Sequence, residues 1–176
     1  MAMSLMDELG YEFRPQRGPR GTFSELATNQ VMSALIAKTA MPLDRVVLRA
    51  TSGRWTATAF MAGFPVLWLS TTGAKSKQTR QVPLLGIPTP SRNLAVLGTN
   101  FGGERTPGWV HNLVAHPEAL AEWRDNSAAV TAVQLEPAQQ EPIWETAIAA
   151  YPNYANYRVK AQHRPIRVFE LVRRTD

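Results

Sequence analysis

The chain has 176 residues, 44% of them hydrophobic, a formal net charge of +5 and no cysteine, so it can fill one hydrophobic core but not two. Without cysteine there is no disulfide, thiolate metal site or cysteine nucleophile, which suits a reducing cytoplasm. The longest apolar stretch, Ala57 to Leu69, is broken by Gly63 and Pro65 and falls short of the ~20 residues that span a bilayer, and the acidic start around Asp7 and Glu8 is unlike a secretory signal.

Residues 1 to 21 carry Arg14, Pro15, Arg17, Gly18, Pro19, Arg20 and Gly21, a composition that favours an extended arm. Thr22-Phe23-Ser24-Glu25 has the capping-box spacing, and Phe23, Ala27, Val31, Ala34 and Leu35 recur at helical intervals until Met41-Pro42, which predicts an amphipathic helix. Its polar face carries only Lys38, so the reading as a helix lying on the core stands ahead of one lying on a membrane. The stretch from Asp44 to Met61 has no clear periodicity. Phe64 to Leu69 then reads as the first strand.

Thr71 to Arg80 follows, a turn opened by Gly73 that gathers Lys75, Lys77, Arg80 and the hydroxyls of Ser76 and Thr79. Gly73 is expected to supply the positive φ of this turn, and the cations and backbone N–H groups can converge on a phosphate or carboxylate. The alternative is a solvated, lysine-rich hairpin. The wider charge pattern favours the anion site: Arg45, Arg49, Arg54, Lys75, Lys77, Arg80 and Arg92 precede Gly103 with no Asp or Glu among them, whereas Glu118 to Glu145 is acidic apart from Arg124.

Arg80 to Ile87 is the second predicted strand, ended by the turn cluster Pro88 to Asn93, and Leu94 to Leu97 is the third. Gly98-Thr99-Asn100-Phe101-Gly102-Gly103 forms a loop whose two adjacent glycines would let a flat ligand approach the backbone. Thr106 as N-cap and Pro107 at the first helical position open a helix with Trp109, Val110, Leu113 and Val114 on one face, ended by His116-Pro117; its N-terminus is a second place for an anion. Leu120 to Trp123 and Ala128 to Leu135 are strands around a polar turn at 124–127. Pro137 to Tyr151 and Asn153 to Lys160 are helices, and Pro165 to Val172 is the last strand. Tyr151, Tyr154 and Tyr157, three apart, line one side of the bend, either as packing or as the wall of an aromatic substrate site. The order lacks the β-α-β alternation of a doubly wound sheet and predicts an α+β, mainly antiparallel barrel of about six strands with flanking helices. The three histidines lack metal-ligand spacing, and the basic residues match no nucleic-acid module.

Taken together, L-S-T-T-G-A-K-S-K-Q-T-R-Q-V-P-L-L, G-T-N-F-G-G-E-R-T-P-G-W-V-H-N-L-V-A-H-P and Y-P-N-Y-A-N-Y with the later R-P-I-R-V-F-E-L resemble the deazaflavin (coenzyme F420)-dependent nitroreductase family, split barrels related to FMN-binding ones, from Phe64 to Leu171. The resemblance implies a split-barrel domain over residues 46–176 behind an arm and helix at 1–45, within a single domain overall. It implies that Ala74, Lys75, Ser76 and Arg80 hold the coenzyme's phosphate and that Gln81, Val82, Pro83, Leu84 and Leu85 run beside it. Gly98, Thr99, Asn100 and Phe101 would meet the ring, and Gly108, Trp109, Val110, His111 and Asn112 would close over it. Tyr154 is implied as the active-site tyrosine, a proton donor or orienter, with Tyr151 and Tyr157 beside it at the acceptor. Val110 stands where the family often has tyrosine and Leu85 where an aromatic is sometimes found, departures that bear on which acceptor fits.

The activity implied is hydride transfer from reduced deazaflavin to an electron-poor acceptor: a nitroaromatic, a quinone or a conjugated alkene. Alternatives are an FMN- or haem-binding split barrel and a non-enzymatic F420 carrier. No metal and no nucleic acid enter this reading. The protein is expected in the cytoplasm as a monomer or dimer, and the N-terminal arm leaves room for a weak peripheral contact with a membrane.

Overall fold

The computed structural model describes residues 3–13 and 65–174. The expected helix at 22–41 and the unassigned stretch at 44–61 lie outside these residues, as does the arm beyond Phe13.

Among the described residues seven antiparallel strands form one sheet, the half-barrel anticipated from the strand-rich order with one strand more. In chain order these are β1 (Val66–Thr72), β2 (Thr79–Leu85), β3 (Ile87–Pro88), β4 (Leu94–Leu97), β5 (Glu118–Trp123), β6 (Asn126–Gln134) and β7 (Val168–Arg173). In space they run β2-β1-β5-β6-β7-β4-β3. The extra strand arises because the segment expected to continue from Arg80 to Ile87 breaks at Gly86. Beyond that residue, Ile87 and Pro88 pair with Ala95 and Leu94 of β4. β2 is an end strand of this sheet, which is where Pro83, with no N–H to donate, is tolerated.

Period-two alternation feeds two cores, one on each face. Leu94 and Val96 point to the first with Leu67, Leu69, Phe169 and Leu171, while Ala95, Leu97 and Val168 point to the second. β4 therefore buries both faces and reads as an unbroken apolar run. Helix α1 (Leu5–Leu9) and helix α2 (Gly108–Ala115) supply residues to the first core, and helices α3 (Pro137–Ala150) and α4 (Asn153–Lys160) to the second. Each fully buried leucine or phenylalanine contributes about 1.5–3 kcal/mol.

The extended arm expected at the start is corrected over residues 3–13. Ser4 caps α1 by accepting from the Asp7 N–H, and Leu5, Leu9 and Tyr11 are buried in the first core. Asp7 pairs with Arg92, Glu8 with Arg173, Asn126 donates to the Leu9 carbonyl and the Tyr11 hydroxyl donates to the Gly86 carbonyl. Burial outweighs the polarity of the flanking sequence here.

Two boundaries also move. Helix α2 starts at Gly108 with Pro107 as its N-cap, and the Thr106 side chain makes no capping bond. The β5–β6 turn tightens to Arg124 and Asp125, with Arg124 at φ 53. No helix among the described residues is long and apolar enough to cross a membrane.

Candidate functional site

The β1–β2 turn and the first turn of α2 face each other across an open cleft of about 670 Å³ lined by Gly73, Ala74, Lys75, Ser76, Arg80, Gly108, His111 and Asn112. Its backbone is fixed from within. Gly73 N–H donates to the Gln78 carbonyl at 2.8 Å and Lys77 N–H to the Gly73 carbonyl at 2.9 Å. Gly73 does not take the positive φ expected of it; Lys77 does, at φ 58. Glycine at 73 keeps room in the turn, because a Cβ there would displace Ser76 Oγ and crowd the Gln78 carbonyl at 3.1 Å.

Asn112 joins the two walls. Its Oδ1 accepts from the Ala74 N–H at 3.0 Å, and its Nδ2 donates at 3.0 Å to Thr71 Oγ1, which donates in turn to the Arg80 carbonyl at 3.2 Å. Thr71 and Asn112 are both buried. Asn112 is thus a positioning residue for the turn, while Thr71 was not singled out from the sequence. Its signal was a hydroxyl on the same strand face as Leu67 and Leu69.

The cleft is cationic. Among the described residues no carboxylate lines it, and Lys75 and Arg80 form no ion pair. The first N–H groups of α2 have no intrahelical acceptor and carry the positive end of the helix dipole. A Cβ on Gly108 would meet nothing within 4 Å, so an anion can approach the helix backbone closely there. Two other cations of the basic stretch are otherwise engaged: Lys77 Nζ lies 2.7 Å from His116 Nε2, and Arg92 belongs to Asp7.

Other expected site residues lie elsewhere. Gln81 donates to Glu122 at 2.7 Å, Val82 and Leu84 pack on the first core, Leu85 packs on the second, and Pro83 is exposed. Trp109 and Val110 were expected over the coenzyme, but both side chains are buried in the first core, with Trp109 edge-on to Phe169. Their position in α2 turns them inward while Gly108, His111 and Asn112 line the cleft. Gly98 and Thr99 are buried, and a Cβ on Gly98 would strike Val110. Asn100 Nδ2 caps the Arg105 carbonyl, and Phe101 is exposed. Gly102 was expected to admit a flat ligand; instead it sits at φ 78 with its Cα against Lys160 and Tyr157, so its glycine serves the contact with α4.

The three tyrosines form one cluster. Tyr154 is buried in the second core, edge-on to Trp144, Tyr151 and Tyr157. Burial pushes the Tyr154 and Tyr157 hydroxyls well above the usual phenol range, with Tyr151 adding to both shifts. Tyr157 also meets Phe101 edge-on at 5.9 Å, which brings the loop and the tyrosine segment together.

The sequence model of the F420H(2)-dependent quinone reductase family matches residues 42–171. The chain belongs to this family. An F420H(2)-dependent quinone reductase of Mycobacterium tuberculosis is 32% identical over 135 residues, 75% of this chain and 89% of the relative. A solved F420-H2 dependent reductase superposes at a TM-score of 0.55 with 34% identity, covering 61% of this chain and 93% of its own. A structure described as a domain-swapped dimer matches with the same score and identity, covering 79% of that chain. The family match takes in the cleft and the tyrosine cluster but not α1.

The residues present fit the family's coenzyme. Its phosphate and carboxylate-bearing tail need cations and exposed N–H donors, which Lys75, Arg80 and the open backbone at Gly108 provide.

Proposed function

We propose that the cleft between the β1–β2 turn and α2 binds the anionic part of coenzyme F420 and that the protein reduces a quinone-type acceptor alongside it. The protein is an oxidoreductase of the F420H(2)-dependent quinone reductase family. The observation that carries the assignment is a cleft whose described lining holds Lys75, Arg80 and a helix N-terminus and no carboxylate, with neither cation ion-paired among the described residues. When bound, reduced deazaflavin supplies the hydride.

The chain's own residues do the binding and orienting. Lys75 and Arg80 neutralise the anion, and Asn112 and Gly73 hold the turn in the shape that presents them. Burial holds the Tyr154 hydroxyl well above the usual phenol range, so in the role assigned to it beside the acceptor it would serve as a hydrogen-bond donor and not as a general base. Nitroaromatics and conjugated alkenes remain further acceptors of the same electron-poor class. The family match favours deazaflavin over FMN or haem.

Titration with F420, followed by tryptophan quenching, tests the assignment. Lys75→Ala with Arg80→Ala should lose about 1.5–3 kcal/mol for each charge-assisted contact, and raised salt should weaken the wild type in the same direction. Undiminished affinity in the folded double variant would remove the cleft from the reading. Tight binding with no quinone turnover would leave a carrier.

A further inference from the structure

The loop after β4 holds its central phenylalanine in a backbone conformation that this residue disfavours. Asn100, Phe101 and Gly102 are all left-handed, at φ 49, 54 and 78; asparagine and glycine accept this region, but the phenylalanine between them resists it. Such a run persists only where the surroundings over-determine it. The chief restraint is Arg164, which the sequence reading passed over. Its Nε donates to the Gly103 carbonyl at 3.1 Å, Nη1 to Gly98 at 3.1 Å and Nη2 to Thr99 at 2.7 Å, so one planar guanidinium closes both ends of the loop.

What this arrangement produces is an exposed aromatic ring. Phe101 is 77% exposed, stands edge-on to Tyr157 and does not line the cationic cleft. A scattered surface apolar residue needs no explanation. A phenylalanine kept largely in water by strained backbone and three charge-assisted hydrogen bonds is different, because its edge contact with Tyr157 leaves most of the ring uncovered.

We propose that Arg164 is a positioning residue for the acceptor: by fixing the Gly98, Thr99 and Gly103 carbonyls it sets Phe101 as the stacking face for a flat, quinone-type ring. Phe101 is then a specificity-determining contact. This deepens the reading given under Proposed function and rests on it. Stacking onto Phe101 offers the ring an apolar face without displacing the anionic groups at Lys75 and Arg80.

The test uses Arg164→Lys, which keeps the charge but cannot span three carbonyls, with Arg164→Gln, Phe101→Leu and the Arg164→Lys/Phe101→Leu double variant beside it. Arg164→Lys should raise KM for a water-soluble naphthoquinone by about tenfold, the equivalent of one lost charge-assisted bond, with the F420 Kd unchanged within about twofold. Phe101→Leu should do the same, and the double variant should be no worse than either single change, because both act through one ring. Chymotrypsin should cleave after Phe101 faster in Arg164→Lys without any coenzyme present. If Arg164→Gln fails to fold, Arg164→Lys still decides. A wild-type quinone KM in Arg164→Lys, additive losses in the double variant, or a matching loss of F420 affinity would each overturn the proposal. Failure of the wild type to bind F420 would overturn the functional reading itself and is seen separately in the same titration.

Discussion

Asn112 offers the sharpest perturbation, because one buried amide holds both walls of the cleft. Asn112→Ala removes two hydrogen bonds of 3.0 Å each, one to the Ala74 N–H and one to Thr71 Oγ1. Ala74 is half-buried, so water can replace its partner; Thr71 is buried but still has the Arg80 carbonyl to donate to. Two such bonds at about 1 kcal/mol each give a loss of about 2 kcal/mol, or roughly 4–8 °C in Tm for a chain of this size. Because the freed turn carries Lys75 and Arg80, F420 binding should weaken by about tenfold as well. Asn112→Asp separates geometry from charge. It keeps an acceptor for Ala74 but puts a carboxylate where the cleft has none, a repulsion on the order of 2–3 kcal/mol at an effective dielectric of about 20. The assay is tryptophan quenching on F420 addition, read beside a thermal melt. Asn112→Asp binding as well as Asn112→Ala would refute the anionic assignment, and wild-type affinity in both would refute the positioning role.

Gly73→Ala should lose F420 affinity more than stability, since the new methyl displaces Ser76 and opens the turn; a circular-dichroism melt with an unchanged F420 titration would contradict this. Tyr154→Phe should lower turnover of a quinone at unchanged F420 affinity, and wild-type kinetics in both Tyr154→Phe and Tyr154→Ala would make the cluster packing only. The Arg92 guanidinium holds the Asp7 carboxyl below the usual carboxylate range, so this pair stabilises the fold above that range and the contribution is lost as pH falls through the lowered value. Acid should therefore loosen α1 first, reported by Trp123 emission beside Tyr11, and Asp7→Asn should remove that part of the pH dependence.

The strands and the two C-terminal helices were legible because apolar spacing decides them: Ile143, Trp144 and Ala147 recur on one helical face, and β4 is a bare apolar run. The turn at 71–80 was legible through its charge. Helix α1 was not, although Ser4 and Asp7 stand three apart as a capping signal, because the Arg-, Pro- and Gly-rich composition that follows them dominates any window average. Trp109 and Val110 show what a motif leaves open. Five consecutive helical residues cannot all face one cleft, and only packing against Phe169 reveals which turn inward. Arg164 was invisible for a further reason, since its acceptors are backbone carbonyls some 60 residues away, which leave no mark in side-chain chemistry.

Strand β7 lies between β6 and β4, although it is the last of the described strands to be made. While the chain is being synthesised, Leu94 to Leu97 must wait for Val168 to Leu171, its partners on β7, and Val130 to Gln134 must wait for the same strand from the other side. A nascent chain stalled before residue 168 would carry two separate fragments, β2-β1-β5-β6 and β4-β3, each with an open hydrogen-bonding edge. Until β7 joins them, the two fragments are open to edge-to-edge association along the strand edges that β7 later pairs.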